Sequence, residues 1–131
     1  MNNKILIIED DEEMCKELNE VFVDLDYHVQ TAFDGLTGKK LIKKNKYSII
    51  ILDLKLPKLS GYQILKFIKK NKINSKIIVM TARMKIHFED IIKGNQEQNE
   101  EDLLKIANFV LIKPFKISDL ICIIKNYKQQ T

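Results

Sequence analysis

The chain predicts an α/β fold, a doubly wound, mostly parallel sheet of five strands flanked by helices, and three observations carry that expectation. Short apolar runs alternate along the chain with stretches whose apolar residues recur at helical spacing. One run, Ile49 to Leu52, contains no polar residue, the pattern of a central strand covered on both faces. The runs also end in residues that carry chemistry: Glu9 and Asp10, Asp53, Thr81, and Lys113. Right-handed crossovers bring such strand ends to one sheet edge, and ligands bind there, near the point where strand order reverses.

Lys4 to Ile8 (KILII) is the first strand, delivering Glu9, Asp10 and Asp11 at its C-terminal end. Met14, Leu18, Val21, Phe22 and Leu25 follow at helical spacing, with acids in the first turn, where the helix dipole favours them. Tyr27 to Phe33 alternates as a second strand, and Asp34-Gly35 opens a helix from Leu36 to about Asn45. Ser48 to Leu52 is the third strand; after Pro57, Ser60-Gly61 turns into a helix with Ile64, Leu65 and Ile68 inward. Lys76 to Met80 is the fourth strand, ending in Thr81-Ala82, and Phe109 to Ile112 the fifth, ending in Lys113-Pro114. Ile117, Leu120, Ile121 and Ile124 mark the last helix.

No repeat or internal linker divides the chain, so residues 1–131 read as one domain, with 126–131 as either a frayed helix end or the start of a linker. The first strand is too short for a signal-peptide core or a membrane span, which makes the expectation a cytoplasmic protein with no membrane partner. Cys15 and Cys122 sit inside helical patterns without metal-ligand spacing and read as packing residues.

Charge is unevenly distributed. Residues 1–38 set Lys4 and Lys16 against ten carboxylates, net −8, whereas residues 39–85 set fourteen Lys or Arg against Asp53 alone, net +13. A basic middle is one signature of nucleic-acid binding. Here the lysines alternate with Leu and Ile at helical spacing, as solvated helix faces do, so no direct nucleic-acid binding is expected of this domain.

Carboxylates converging at one edge repel one another and need compensation. Lys113 supplies one positive charge and a hard divalent cation two, which balances Glu9, Asp10 and Asp53 and points to Mg²⁺. A hydroxyl, an ammonium and a metal around a carboxylate are the parts that stabilise phosphoryl oxygens during in-line transfer, with Asp53 as nucleophile. Asp11, Glu12 and Glu13 read as helix-start acids, and Pro57 and Gly61 as loop-shaping residues.

The segments ILIIEDD, ILDLKLPKLSGY, IIVMTA and LIKPF, in this order, resemble the receiver domain of two-component response regulators, over essentially the whole chain. The resemblance implies a flavodoxin-like sheet of order 2-1-3-4-5 and identifies Asp53 as the phosphoacceptor for a histidine kinase or phosphotransferase. It implies Asp10 and Asp53 as direct Mg²⁺ ligands, Glu9 acting through a water, and the Lys55 backbone carbonyl as a further ligand. Thr81 then resembles the switch hydroxyl, Ala82 the neighbour whose N–H contacts the phosphoryl group, and Lys113 the phosphate-contacting lysine. A cis peptide before Pro114 is implied as well.

The chain departs from the family pattern in two places. Val110 stands where an aromatic switch residue is usual, and Phe109 beside it faces the other way on a strand of period two. Thr81 and Lys113 lie 32 positions apart, a long connection whose extra residues fall within 84–108. There Phe88, Ile91 and Ile92 suggest a helical turn, and Asn99 a cap for a helix carrying Leu103, Leu104 and Ile106.

The reading is a phosphorylation-dependent switch, a signalling module rather than a turnover enzyme, acting on a downstream protein or an attached effector domain such as a DNA-binding one. A phosphorylation-dependent homodimer through the fourth helix, fifth strand and last helix is one output the resemblance implies, and the extra residues remodel that face. The alternative is a receiver-like interaction module that no longer accepts phosphate. A hydrolase with an aspartyl nucleophile would want an acid two residues after Asp53, where Lys55 stands instead.

Overall fold

The computed structural model describes residues 3–82 and 102–129. Five parallel strands form one sheet in the order β2-β1-β3-β4-β5: β1 is Lys4–Ile8, β2 His28–Ala32, β3 Ile49–Asp53, β4 Lys76–Thr81 and β5 Phe109–Ile112. Helices α1 (Glu12–Asp24), α2 (Gly35–Lys44) and α3 (Gly61–Lys70) make the crossovers, and a C-terminal helix spans Ile117–Gln129. That helix takes in residues 126–129. The sequence-predicted order, strand count and strand positions all hold, with boundaries displaced by a residue or so.

The burial pattern explains why the strands take these places. β3 is buried at all five positions and β1 at four of five, as strands covered on both faces must be. The two edge strands are less buried, with His28 and Gln30 of β2 and Phe109 and Ile112 of β5 exposed. Alternate side chains of each strand enter two separate cores. Ile5, Ile7, Ile49, Ile51, Ile78 and Met80 pack with α1 and the C-terminal helix, around Leu18, Phe22, Leu120 and Ile124. Leu6, Ile8, Ile50, Leu52, Ile77 and Val79 pack with α2 and α3, around Ile42, Ile64, Leu65 and Ile68. Each fully buried Ile or Leu contributes about 1.5–3 kcal/mol over its exposed state, and these two layers hold the sheet flat against its helices.

Capping fixes where the helices begin. Asp11, Asp34 and Ser60 are the N-caps of α1, α2 and α3, each accepting a hydrogen bond from the backbone N–H three residues on. Ser60 and Gln63 complete a capping box. α1 and α3 end in paired 6→1 and 5→2 hydrogen bonds, Tyr27 to Phe22 with Asp26 to Val23, and Ile73 to Ile68 with Lys72 to Lys69. Asp26 and Lys72 hold the left-handed position of these motifs (φ 68° and 50°), where glycine is commonest.

Leu103, Leu104 and Ile106, in and after a helical turn at residues 102–104, pack against the α2–α3 core, as their spacing predicts. The expected cap at Asn99 and the helical turn around Phe88, Ile91 and Ile92 lie outside the described residues. Cys15 is buried as a packing residue should be, but Cys122 is exposed. Its neighbours explain the correction: Leu120 and Ile124 take the fully buried stripe of the C-terminal helix, which leaves position 122 on the opposite face. Among the described residues, no helix is long and apolar enough to cross a membrane.

Candidate functional site

The C-terminal ends of β1, β3, β4 and β5 converge where the sheet order reverses, β1 leading to β2 on one side and standing beside β3 on the other. Parallel registry carries the residues just beyond each strand to the same edge. Glu9 N–H donates to the Ala32 carbonyl (3.0 Å), Leu54 N–H to Met80 (3.3 Å) and Lys113 N–H to Thr81 (2.7 Å), so the ladder extends up to the site.

Glu9 and Asp53 are buried carboxylates, at 0% and 5% exposure, while Asp10 beside them is open to solvent. Carboxylate oxygens of the three lie within 4.8 Å of one another. The Lys113 ammonium donates to Glu9 Oε1 and lies 3.3 Å from Asp53 Oδ2. Burial alone would lower the pKa of that amine; the hydrogen bond to Glu9 and the charge of Asp53 outweigh it and raise the pKa above 10.5. The Asp10 carboxyl is pushed up from its usual 3.8, first by its hydrogen bond with Glu9, then by burial and by the Glu9 charge. One ammonium thus leaves the three acids underneutralised, and an all-oxygen donor set of this charge fits a hard divalent cation of the Mg²⁺ kind.

Each remaining site residue of the sequence reading lies at this edge. Thr81 is the last residue of β4, 6% exposed, and Ala82 follows it at the surface. Lys55 is exposed, with its backbone N–H 3.4 Å from Asp53 Oδ1. The Lys113–Pro114 peptide is cis. Asp11 is a helix cap, as its position predicts, and its own N–H reaches Glu9 Oε2 at 3.4 Å. Val110 is half-buried against the α2–α3 core, and Phe109 is 44% exposed on the other face.

The loop under Asp53 is pinned from several sides. Gly61 N–H donates to the Leu54 carbonyl (2.9 Å), Gly35 N–H to Pro57 (3.1 Å), and Lys58, at φ 67°, lies 3.8 Å from Asp34. Two features had no distinct signal in the sequence. The Cys15 thiol donates to the Glu9 carbonyl (3.3 Å), and burial first, with the nearby acids, pushes its pKa to about 12, so it is an inert packing group behind the site. Gly61, read from the sequence as shaping the turn into α3, lies directly against the Asp53 backbone.

A parallel 2-1-3-4-5 sheet with three acids and a lysine at its switch point defines a class of receiver folds, and comparison with known proteins gives the family. The family model of the response regulator receiver domain matches residues 5–125, and the chain belongs to this family. It is similar to sporulation initiation phosphotransferase F of Bacillus subtilis, 33% identical over 97% of this chain and 94% of that protein. It is also similar to the transcriptional regulatory protein HprR of Escherichia coli, 32% identical over 97% of this chain and 52% of that one. Among solved structures, the receiver domain of the Francisella response regulator 1452 superposes with a TM-score of 0.80 at 29% identity, over 99% of this chain and 100% of that one. The chain therefore spans nearly all of the phosphotransferase and about half the length of the transcriptional regulator.

Proposed function

We propose that Asp53 accepts a phosphoryl group, in a Mg²⁺-dependent reaction, from the phosphohistidine of a histidine kinase or phosphotransferase. The observation that carries this reading is the Lys113 ammonium, shared between buried Glu9 and Asp53 within a cluster of three carboxylates. A structural ion pair would need one acid; a third, solvent-exposed acid adds repulsion that a bound cation relieves. Asp10 and Asp53 would hold Mg²⁺ directly, Glu9 through a water, and Lys55 by its backbone carbonyl. When bound, the ion supplies positive charge against the equatorial phosphoryl oxygens.

The protein's own groups do the rest. Asp53 attacks phosphorus through a carboxylate oxygen, forming an acyl phosphate as the phosphorus–nitrogen bond breaks and the imidazole leaves with the bonding pair. Lys113, charged throughout the physiological range, neutralises the oxygens that gain charge. Thr81 at the end of β4 supplies a hydroxyl and Ala82 an N–H toward the phosphoryl group. The phosphorylated form then favours the arrangement in which Thr81 engages that group, a shift of population rather than a turnover reaction. Output goes to a downstream protein or an attached effector domain, with a phosphorylation-dependent homodimer as one form of it. The domain, on this reading, spans residues 1–131 and works in the cytoplasm.

Intact mass measured after incubation with a small phosphoramidate donor, with and without Mg²⁺, tests the reading. One phosphoryl adduct that requires both metal and Asp53, absent in Asp53→Asn, supports it. A folded, Mg²⁺-binding protein that forms no adduct under any condition would replace it with the phosphate-independent interaction module.

A further inference from the structure

The loop from Leu54 to Ser60, which connects β3 to α3, is shaped in part by α2, a helix that supplies no residue to the acidic cluster. Both backbone groups of Leu54 are engaged: its N–H donates to the Met80 carbonyl (3.3 Å) and its carbonyl accepts from the Gly61 N–H (2.9 Å). Further along, the Pro57 carbonyl accepts two hydrogen bonds, from the Leu59 N–H (2.7 Å) and from the Gly35 N–H (3.1 Å) at the start of α2. Lys55, whose backbone carbonyl is a proposed Mg²⁺ ligand, stands between these two fixed points.

The bond from Leu59 to Pro57 closes a three-residue turn around Lys58, whose φ of 67° gives the rare, strained hand of that turn. A residue other than glycine keeps such a conformation only where its surroundings impose it. The Lys58–Asp34 ion pair (3.8 Å) is too open to do so, with the lysine side chain 64% exposed. The backbone contact with α2 is closer. A Cβ at position 35 would stand 1.9 Å from the Leu59 carbonyl oxygen and 2.6 Å from its carbon, so glycine is what lets the helix start seat against this turn. The Gly35 N–H is one of those that a helix leaves without an internal partner, and Pro57 accepts it.

Of the two packed segments, α2 is the less movable. Ile42 is buried in the core, and Gly38, one turn after Gly35, is buried against the Ile8 side chain at the end of β1. In the loop, Lys55, Pro57 and Lys58 are exposed. A side chain at position 35 would therefore push the loop, and Lys55 with it.

We propose that Gly35 is a positioning residue of the Mg²⁺ site: the first turn of α2 holds the Pro57 to Leu59 turn in the conformation that presents the Lys55 carbonyl to the ion, and so sets the affinity for Mg²⁺. This rests on the phosphoacceptor reading and its metal site. Groups that orient a metal ligand without touching the metal are typically worth about ten- to a hundredfold in affinity.

Amide NMR of the full chain, titrated with Mg²⁺, tests the proposal. Gly35→Ala should raise the half-saturating Mg²⁺ concentration about tenfold or more. Gly38→Ala, the same change on the same helix, meets side-chain atoms of Ile8 and no loop backbone, so it should lose stability yet bind Mg²⁺ within about twofold of wild type. Coupling is reciprocal, so saturating Mg²⁺ should slow hydrogen exchange of the wild-type Gly35 N–H by about the same factor of ten. Exchange of the Asn45 N–H, at the far end of α2, should change by about twofold at most. The exchange measurement needs no variant and decides the matter if Gly35→Ala does not fold. Wild-type Mg²⁺ binding with an unchanged Gly35 exchange rate, or with no greater weakening in Gly35→Ala than in Gly38→Ala, would overturn the role of Gly35 and leave the phosphoacceptor reading standing. A wild-type protein that binds no Mg²⁺ would overturn the metal site and the role of Gly35 together.

Discussion

Gly61 rests on the backbone of Asp53: a Cβ at position 61 would come within 2.4 Å of the Asp53 carbonyl oxygen and 2.6 Å of the Leu54 Cα. Both neighbours are main chain and belong to the end of the most buried strand, so neither can turn aside as a side-chain tip would. Gly61→Ala must therefore displace either α3 or the strand end that presents the Asp53 carboxylate. The expected cost is about 1–3 kcal/mol in urea unfolding. The variant should also form the phosphoryl adduct more slowly than wild type, in the same mass assay. An unchanged midpoint and rate would mean the close approach positions nothing.

Asp34 links a second loop to this one. Its carboxylate caps α2 through the Thr37 N–H (2.8 Å) and bonds the Thr37 hydroxyl (2.9 Å), and the first of these does most to hold its pKa below 3.8. A lowered folded pKa means stability that is present above 3.8 and lost as pH falls through the folded value. Asp34→Ala should cost about 1 kcal/mol at pH 7, the usual worth of an N-cap. The difference from wild type should persist to about pH 4 and close at lower pH, read from urea midpoints across that range. A difference independent of pH would show that lost packing, and not the charged cap, sets the cost.

Much of this architecture was legible because its signals are local. The run Ile49 to Leu52 announces a central strand, the Ser60-Gly61 pair announces a helix start, and polar residues ending apolar runs announce the site edge. What stayed hidden depends on approaches between segments. The contact of Gly61 with Asp53 and the Cys15 thiol on the Glu9 carbonyl have no sequence spacing that marks them. Cys122 read as a packing residue because it sits inside a helical pattern, and the register of Leu120 and Ile124 turns it out. Asp26 and Lys72 gave no warning either, since the helix-ending conformation they hold is one that sequence marks by glycine.

Lys113 is the counter-ion of the buried acids, and its removal should be felt before any phosphate arrives. Lys113→Met leaves Glu9, at 0% exposure, without the ammonium that it and Asp53 share. With the lysine side chain 25% exposed, water softens the loss, and about 1–3 kcal/mol is expected at neutral pH in EDTA. The sign with pH follows from the raised folded pKa: the contribution is complete below 10.5 and disappears as pH climbs through the folded value. Urea midpoints of wild type and variant should therefore stay apart from pH 7 to about 10 and approach each other above that. Midpoints that coincide at pH 7 would show the pair to be unimportant to the fold.

Asp10 should behave in the opposite sense, because the same cluster that Lys113 steadies is one that Asp10 strains. Its carboxyl is raised above 3.8 by the hydrogen bond with Glu9, then by burial and by the Glu9 charge, so folding disfavours its charged form. Carrying the charge at neutral pH costs stability, a cost that fades as pH falls through the folded pKa and is gone below 3.8. Asp10→Asn removes that charge while keeping the side-chain size, and in EDTA at pH 7 it should melt at a higher temperature than wild type. Added Mg²⁺ reverses the order if the acids hold it: a ligand bound only by the folded state raises the wild-type midpoint with concentration, and the variant, short of one ligand, should respond far less. Thermal scans of the two proteins with and without Mg²⁺ separate the possibilities. A variant less stable than wild type in EDTA would mean the Asp10 charge supports the metal-free fold. Equal Mg²⁺ responses would take Asp10 out of the metal site.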